Sequence, residues 1–142
     1  MKHARAAYLI LALFGLVSCA DMGRTSYAKT EIGIGWRTSG EFDDREGPKN
    51  NSLHLIIDDT DYLITKNAEV GFSMLERRLY DRHGIPSKAI AACSGWWAGY
   101  GETYYAVLES DHIAVYHREL EEQVKIPPFR KVKRIELTHN ES

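Results

Sequence analysis

The sequence contains no apolar run long enough to cross a membrane. Its longest run extends from Ala6 to Val17, whereas a transmembrane helix needs about 20 apolar residues. Lys2 and Arg5 give this short run a positively charged start, which is typical of a secretory signal peptide. No second run of comparable length follows, so we expect no part of the mature chain to span a bilayer.

The end of this run resembles the lipobox of bacterial lipoproteins. Leu16-Val17-Ser18-Cys19 places a branched apolar residue, a small residue and a cysteine directly after the apolar core. The resemblance implies that residues 1–18 are removed as a signal peptide and that Cys19 carries a diacylglyceryl thioether and an acyl chain, such as palmitate, on its amine. At about 0.8 kcal/mol per buried methylene, several acyl chains hold a protein at a membrane permanently. The alternative is an ordinary cleaved signal with an incidental cysteine.

The residue after Cys19 bears on the choice of membrane. The resemblance implies that, in Gram-negative bacteria, an aspartate directly after the cysteine favours retention in the inner membrane. Here Ala20 takes that place, which favours the outer membrane, with the protein facing the periplasm. Residues 19–30 are predicted to be a lipidated N-terminus and tether, and residues 31–142 a single globular domain.

Cysteine is scarce, since Cys93 is the one example besides Cys19. With Cys19 lipidated, no intramolecular disulfide is expected, so the apolar core must stabilise the domain alone. A buried, inert thiol is the favoured interpretation of Cys93, because free cysteine is among the most buried residue types. A catalytic thiol would need a nearby histidine and a lowered pKa, which the sequence does not indicate.

Charge and motifs exclude further classes of function. The formal net charge is −2, and losing the cations of the signal peptide makes the mature chain more acidic, which argues against nucleic acid as a partner. The motifs of zinc proteases, thiol oxidoreductases and serine hydrolases are absent. His112 and His117 are an odd number of residues apart on one predicted strand, so their side chains should point to opposite faces of the sheet. The sequence therefore predicts no enzyme, no catalytic residue, no metal and no cofactor.

The remaining residues mostly show the patterns of β-strands. Residues 38–52, rich in Gly, Asp and Asn, are predicted to be a loop. Residues 59–61 and 110–111 are predicted to connect two hairpins. The predicted strands are 31–37, 53–58, 62–65, 88–93, 102–109, 112–119 and 131–138.

One helix is predicted over about 73–83. Ser73 and Glu76 have the spacing of a capping box, and Gly84 suits the left-handed position after a helix. Strand 102–109 has apolar residues on both faces, so each face needs a cover, and the helix would supply one of them. The expected fold class is α+β, an antiparallel sheet of about six to seven strands with this helix packed across it.

Residues 94–105, SGWWAGYGETYY, are the most unusual stretch. Aromatic side chains on a glycine-rich backbone could form an exposed platform of the kind that binds a sugar or a protein. The alternative is burial, since each aromatic ring contributes a large apolar area to a core. Burial is the favoured interpretation for one of the two tryptophans, and an exposed contact formed by the other together with Tyr100 is left open. The candidate binding residues are Trp96, Trp97, Tyr100 and Tyr104.

Two charged segments have simpler explanations. Asp58, Asp59 and Asp61 lack the glycine and later glutamate of a calcium loop, so they are interpreted as turn residues bonded to nearby backbone. The cations of residues 129–136 could contact anionic lipid headgroups. Pairing with the carboxylates of residues 119–122 is the favoured interpretation.

The sequence leaves three functions open. The favoured one is a lipid-anchored envelope protein whose small non-catalytic domain binds a periplasmic protein or the glycan of peptidoglycan. The second is an envelope hydrolase or thiol enzyme that uses Cys93 or a histidine–aspartate set. The third is a structural accessory of envelope assembly.

Overall fold

The computed structural model describes residues 21–27 and 32–137, which form two antiparallel sheets. Within each sheet, every strand pairs with its neighbour along the chain. The four-stranded sheet contains β1 (Asp21–Tyr27), β2 (Ile32–Asp43), β3 (Gly47–Ile57) and β4 (Thr60–Ala68). The five-stranded sheet contains β5 (Ser73–Met74), β6 (Ala89–Trp97), β7 (Tyr100–Leu108), β8 (His112–Glu121) and β9 (Arg130–Glu136).

The main core lies between the two sheets. Trp36 and Leu55 reach it from the four-stranded sheet, and Cys93 and Val115 reach it from the five-stranded sheet; all four are fully buried. Alternation along each strand explains this, because every second side chain points to the same face. The chain is therefore a sandwich of two β-sheets, held by apolar packing.

The prediction of an α+β fold is wrong, because the described residues contain no α-helix. In place of the helix predicted over about 73–83, Ser73–Met74 forms β5 and pairs with β6. The N–H of Leu75 then donates to the carbonyl of Ala92 at 2.9 Å. Sheet hydrogen bonds therefore occupy the residues that were expected to cap and begin the helix.

The rest of that segment forms two short 3-10 turns, Arg77–Leu79 and Asp81–His83. Gly84 follows with a φ of 68°, which confirms the left-handed position predicted for it. The N–H of Ile85 donates to the carbonyl of Tyr80 at 2.8 Å. This contact closes the segment into a compact unit.

The segment covers the outer face of the five-stranded sheet. Tyr80 and Ile85 pack there against Tyr105 and Val107 of β7, with Phe129 at the margin. The prediction that strand 102–109 is covered on both faces is thus confirmed. This segment of two 3-10 turns buries the outer face of the strand as the expected α-helix would have done.

The loop predicted at 38–52 is also wrong, since β2 continues to Asp43 and β3 begins at Gly47. Asp43 Oδ1 accepts hydrogen bonds from the N–H groups of Arg45 and Glu46 at 2.8 and 2.9 Å. This side-chain bonding holds the tight turn between the two strands. The polar composition of residues 38–52 therefore reflects an exposed hairpin and not a loop.

The other predicted strands are present, with shifted ends. Residues 21–27, which were predicted to belong to the tether, form β1 and pair with β2. The predicted signal peptide, Cys19, Ala20 and residues 28–31 lie outside the described residues. The part of the chain that the structure describes includes no helix suited by length and apolar character to a bilayer.

Candidate functional site

The aromatic stretch forms the hairpin of β6 and β7. Ala98 and Gly99 make its turn with φ values of 49° and 85°, as a two-residue hairpin connection of this kind requires. Trp96 and Trp97 precede the turn, and their side chains point to opposite faces of the sheet. They cannot form one continuous platform.

Trp96 is 55% exposed on the outer face. Its ring lies over Gly101, its cross-strand partner in the pairing of β6 with β7. A β-carbon at Gly101 would collide with this ring. The indole therefore shields bare backbone there, an arrangement that stabilises glycine in a strand.

Trp97 points toward the other sheet and packs against the main core. Its ring meets that of Phe42 edge to face, with centroids 5.4 Å apart at 89°. It also lies against Gly47, whose φ is 79°. Trp97 thus joins the end of the β6–β7 hairpin to the β2–β3 hairpin.

A groove of about 400 Å³ opens beside Trp97. Phe42 is 62% exposed and does not line the groove, but its ring contacts the same indole. Lys49 pairs with Glu46 on the rim. Aromatic and ionic side chains from both sheets therefore meet in one concave surface. The groove is lined by Glu46, Pro48, Lys49, Glu69, Trp97, Ala98 and Tyr100.

The four predicted binding residues are divided by the structure. Trp97 and Tyr100 share the groove, and Trp96 lies exposed on the opposite face. Tyr104 is buried in the main core, where its ring stacks on His117 with centroids 4.3 Å apart. Only Trp97 and Tyr100 remain together as candidates for one contact surface.

A polar cluster lies behind the groove, on the inner face of the five-stranded sheet. Glu102 and His117 are hydrogen-bonded, with Oε1 and Nε2 2.9 Å apart. Glu119 completes the cluster. Burial, and then the charges of Glu102 and Glu119, raise the pKa of Tyr100. Burial followed by the charge of Glu102 raises the pKa of Tyr104 as well, so both phenols stay protonated at neutral pH.

Sequence reasoning missed this cluster. Glu102 and Glu119 are cross-strand partners, and His117 faces the same way because it is two residues from Glu119. The available signal was Glu102, a charged residue at a position where the alternation of an apolar strand directs the side chain to the inner face. Recognising its partners required the register between β7 and β8, which pairs residues far apart in sequence.

A second polar series lies on the outer face of the four-stranded sheet. His54 Nδ1 is 2.6 Å from Asp61 Oδ1, and its Nε2 is 3.3 Å from Ser52 Oγ. Ser52 Oγ is in turn 2.6 Å from Ser39 Oγ. Arg37 shares the Asp61 carboxylate. Although Asp61 contacts the imidazole, burial and then the charge of Arg37 lower the pKa of His54.

Cys93 lies in the core, fully buried. Burial raises the pKa of its thiol well above the usual value, the opposite of the activation that a nucleophilic cysteine requires. The interpretation of Cys93 as a buried thiol is confirmed.

The charged segments contact neighbouring strands and turns of the same sheet. Asp58 Oδ1 accepts a hydrogen bond from the N–H of Gly33 at 2.8 Å, whereas Asp61 bonds to side chains. Arg134 of β9 pairs with Glu136 and Asp111. This cation was expected to pair with the carboxylates of 119–122, and it has different partners.

Comparison with protein-family models, curated proteins and solved structures finds no match for this chain. Because a fold alone does not imply a function, the groove and the polar clusters are the features that indicate one.

Proposed function

We propose that this chain is a lipid-anchored envelope protein whose non-catalytic domain binds the glycan strand of peptidoglycan in the groove beside Trp97. The observation that carries the proposal is the meeting of Trp97, Tyr100 and Glu69 in one open groove. Sugar rings present apolar C–H faces that suit aromatic rings, and their hydroxyl groups donate hydrogen bonds to carboxylates.

The size and lining of the groove support a small part of a polymer as ligand. Its volume of about 400 Å³ falls in the usual range for small-molecule sites, about 300–1,000 Å³. Glu46 and Glu69 supply acceptors, and Lys49 supplies a donor. This mixture suits a neutral or weakly charged sugar better than a purely apolar ligand.

The proposed lipid at Cys19 places this groove near its ligand. β1 begins at Asp21, so Ala20 alone separates it from the acylated cysteine. A single residue spans only about 3.5 Å, which keeps the β1 edge of the four-stranded sheet beside the bilayer. With Ala20 favouring the outer membrane, the domain faces periplasmic peptidoglycan.

Co-sedimentation with purified peptidoglycan sacculi tests the glycan proposal. The full-length protein, extracted from membranes in detergent, should pellet with sacculi. Phe42→Ala and Trp97→Ala should each weaken this binding about tenfold. Trp96→Ala is the matched control, since it removes an exposed indole on the opposite face, and it should bind like the wild type.

Thermal unfolding must accompany these assays, because Trp97 also packs against the core. Phe42 is mostly exposed, so Phe42→Ala should leave the midpoint of unfolding nearly unchanged. If folded Phe42→Ala and Trp97→Ala proteins pellet as well as wild type, or if Trp96→Ala alone loses binding, the groove is not the glycan site.

The lipid anchor has a separate test. Mass spectrometry of the mature protein should find acyl chains on the residue Cys19, and Cys19→Ser should move the protein into the aqueous fraction. An unmodified sulfur at position 19 in membrane-extracted protein contradicts the anchor. This result would leave the glycan-binding assay unaffected.

A hydrolase is the second candidate, and one observation favours it. Ser52, His54 and Asp61 are hydrogen-bonded in the order of a nucleophile, a general base and its orienting acid. A fluorophosphonate probe should then label Ser52, and Ser52→Ala should abolish labelling while Ser39→Ala retains it. Absence of labelling in the wild type rejects this candidate.

A further inference from the structure

We propose that Glu102, His117 and Glu119 bind a divalent transition-metal ion, with zinc as the reference case. None of the three residues lines the glycan groove, but Glu119 is hydrogen-bonded to Tyr100, which does. Metal binding does not require glycan binding, so each proposal can be tested without the other.

The first support is geometric. One ligand atom of each residue lies within 4.8 Å of the others. Glu102 and Glu119 are cross-strand partners on adjacent strands, and His117 is next on the same face. Strands held in register are rigid supports for ligands, and rotation of the exposed Glu119 side chain would close the remaining distance.

The second support is charge. Glu102 is only 6% exposed, and a buried carboxylate has to be paired or bound to a metal. Its ion-pair partner among the described residues is His117. Glu119 adds a second carboxylate, and no lysine or arginine within the described residues forms an ion pair with either one. Two carboxylates and one imidazole thus leave an excess of negative charge that a dication neutralises.

Arg130 is a nearby cation that could neutralise these carboxylates in place of a metal ion. It is opposite His117 in the pairing of β8 with β9 and lines a cavity with His117 and Glu119. It is exposed, and its guanidinium makes no described ion pair with the two carboxylates. Arg130 and Glu119 are both exposed, whereas Glu102 is buried.

The ligand types indicate the class of metal. Imidazole with carboxylates is a donor set that zinc accepts, with three protein ligands and a fourth position left open. Calcium and magnesium prefer oxygen ligands throughout, so the histidine disfavours them. The cavity of about 360 Å³ beside His117 and Glu119 would give the open position access to solvent.

The surroundings would orient the ligands. The hydroxyl of Tyr104 donates to Glu102 Oε1 at 3.4 Å, and its ring stacks on the imidazole of His117. Partners of this kind fix ligand side chains in metal sites and raise affinity. An ion held in this way would tie β7 to β8 and keep one exchangeable coordination position.

Zinc titration of the whole protein tests the proposal. Full-length protein without a histidine tag is stripped with a chelator in detergent, then titrated with zinc chloride by calorimetry. We expect one zinc per chain and a higher midpoint of thermal unfolding. Glu119→Gln and His117→Gln should each weaken zinc binding at least tenfold.

Glu121→Gln is the matched control, since it makes the same change on the same strand outside the cluster. It should bind zinc like the wild type. Glu119 is exposed, so its variant remains informative if His117→Gln fails to fold. Wild-type protein that binds no zinc, Glu119→Gln protein that binds it equally well, or calcium that binds as tightly as zinc overturns the proposal. Peptidoglycan binding by chelator-treated protein separates this result from the glycan proposal.

Discussion

The indole ring of Trp97 lies against the α-carbon of Gly47, in the space that a β-carbon would occupy. The two residues belong to different sheets. Their contact joins the β2–β3 and β6–β7 hairpins at the groove. Because Gly47 also has a φ of 79°, two independent physical reasons require glycine at this position.

Gly47→Ala should therefore destabilise the protein and deform the groove. A side chain in the left-handed region costs about 1–2 kcal/mol, and collision with Trp97 adds to it. Urea unfolding measures the loss. Gly71→Ala is the control, since no atom lies within 4 Å of the position of its β-carbon, and its free energy of unfolding should change little. Equal stability of the two variants would contradict the contact.

Ala98→Gly should stabilise the β6–β7 hairpin. Ala98 has a φ of 49°, and glycine adopts that conformation without steric cost. Relief of the left-handed conformation, about 1–2 kcal/mol, should exceed the entropic cost of glycine, about 0.5–1 kcal/mol, so the free energy of unfolding should rise. Ala106→Gly is the control within a regular, buried strand and should lower stability. A loss of stability in Ala98→Gly would show that Ala98 does not have a positive φ in this turn.

The protein should lose stability as the pH falls below 6.5, the ordinary pKa of histidine. Burial and then Arg37 lower the pKa of His54, and burial followed by Arg118 and Arg82 lowers that of His83. The unfolded chain binds protons first, so the stabilisation is complete above 6.5 and disappears as the pH falls through the folded pKa. Unfolding at a series of pH values measures this dependence.

Nuclear magnetic resonance titration can separate the two histidines. Arg37→Gln should raise the pKa of His54 and leave His83 unchanged. Arg82→Gln should have the converse effect, raising the pKa of His83 alone. A pKa for His54 above 6.5 in the wild type would mean that Asp61 outweighs burial and Arg37.

Cys93 should resist alkylation in the native protein. Its thiol is fully buried, and burial raises its pKa, so both access and thiolate formation are opposed. Labelling should appear only when denaturant unfolds the domain. Rapid stoichiometric labelling of Cys93 in native protein would restore the thiol-enzyme hypothesis.

Local patterns predicted the apolar strands well. The hairpin at 102–119 and the left-handed Gly84 could be located because a short connection and a glycine act over a few residues. The helix at 73–83 failed, since the pairing of Ser73–Met74 with β6 competes for the same backbone groups. Local propensity does not include that competition.

The candidate site was only partly predictable. Trp97 and Tyr100 were recognised as aromatic residues on a glycine-rich turn. Phe42, Glu46 and Glu69 were not, because each arrives from a distant hairpin or connection. A sequence pattern states which face a side chain occupies, but not which strand lies opposite.

Alternating apolar residues, the short connection between residues 102–109 and 112–119 and one left-handed glycine are local properties, and the order of the amino acids alone was sufficient to predict them. The division into two sheets, the exposure of Trp96 against the burial of Tyr104, and the meeting of Glu102 with His117 depended on tertiary structure. The physical reason is that β-sheet register and sheet-on-sheet packing join residues with no local relation, and their free energy decides between equally plausible local conformations.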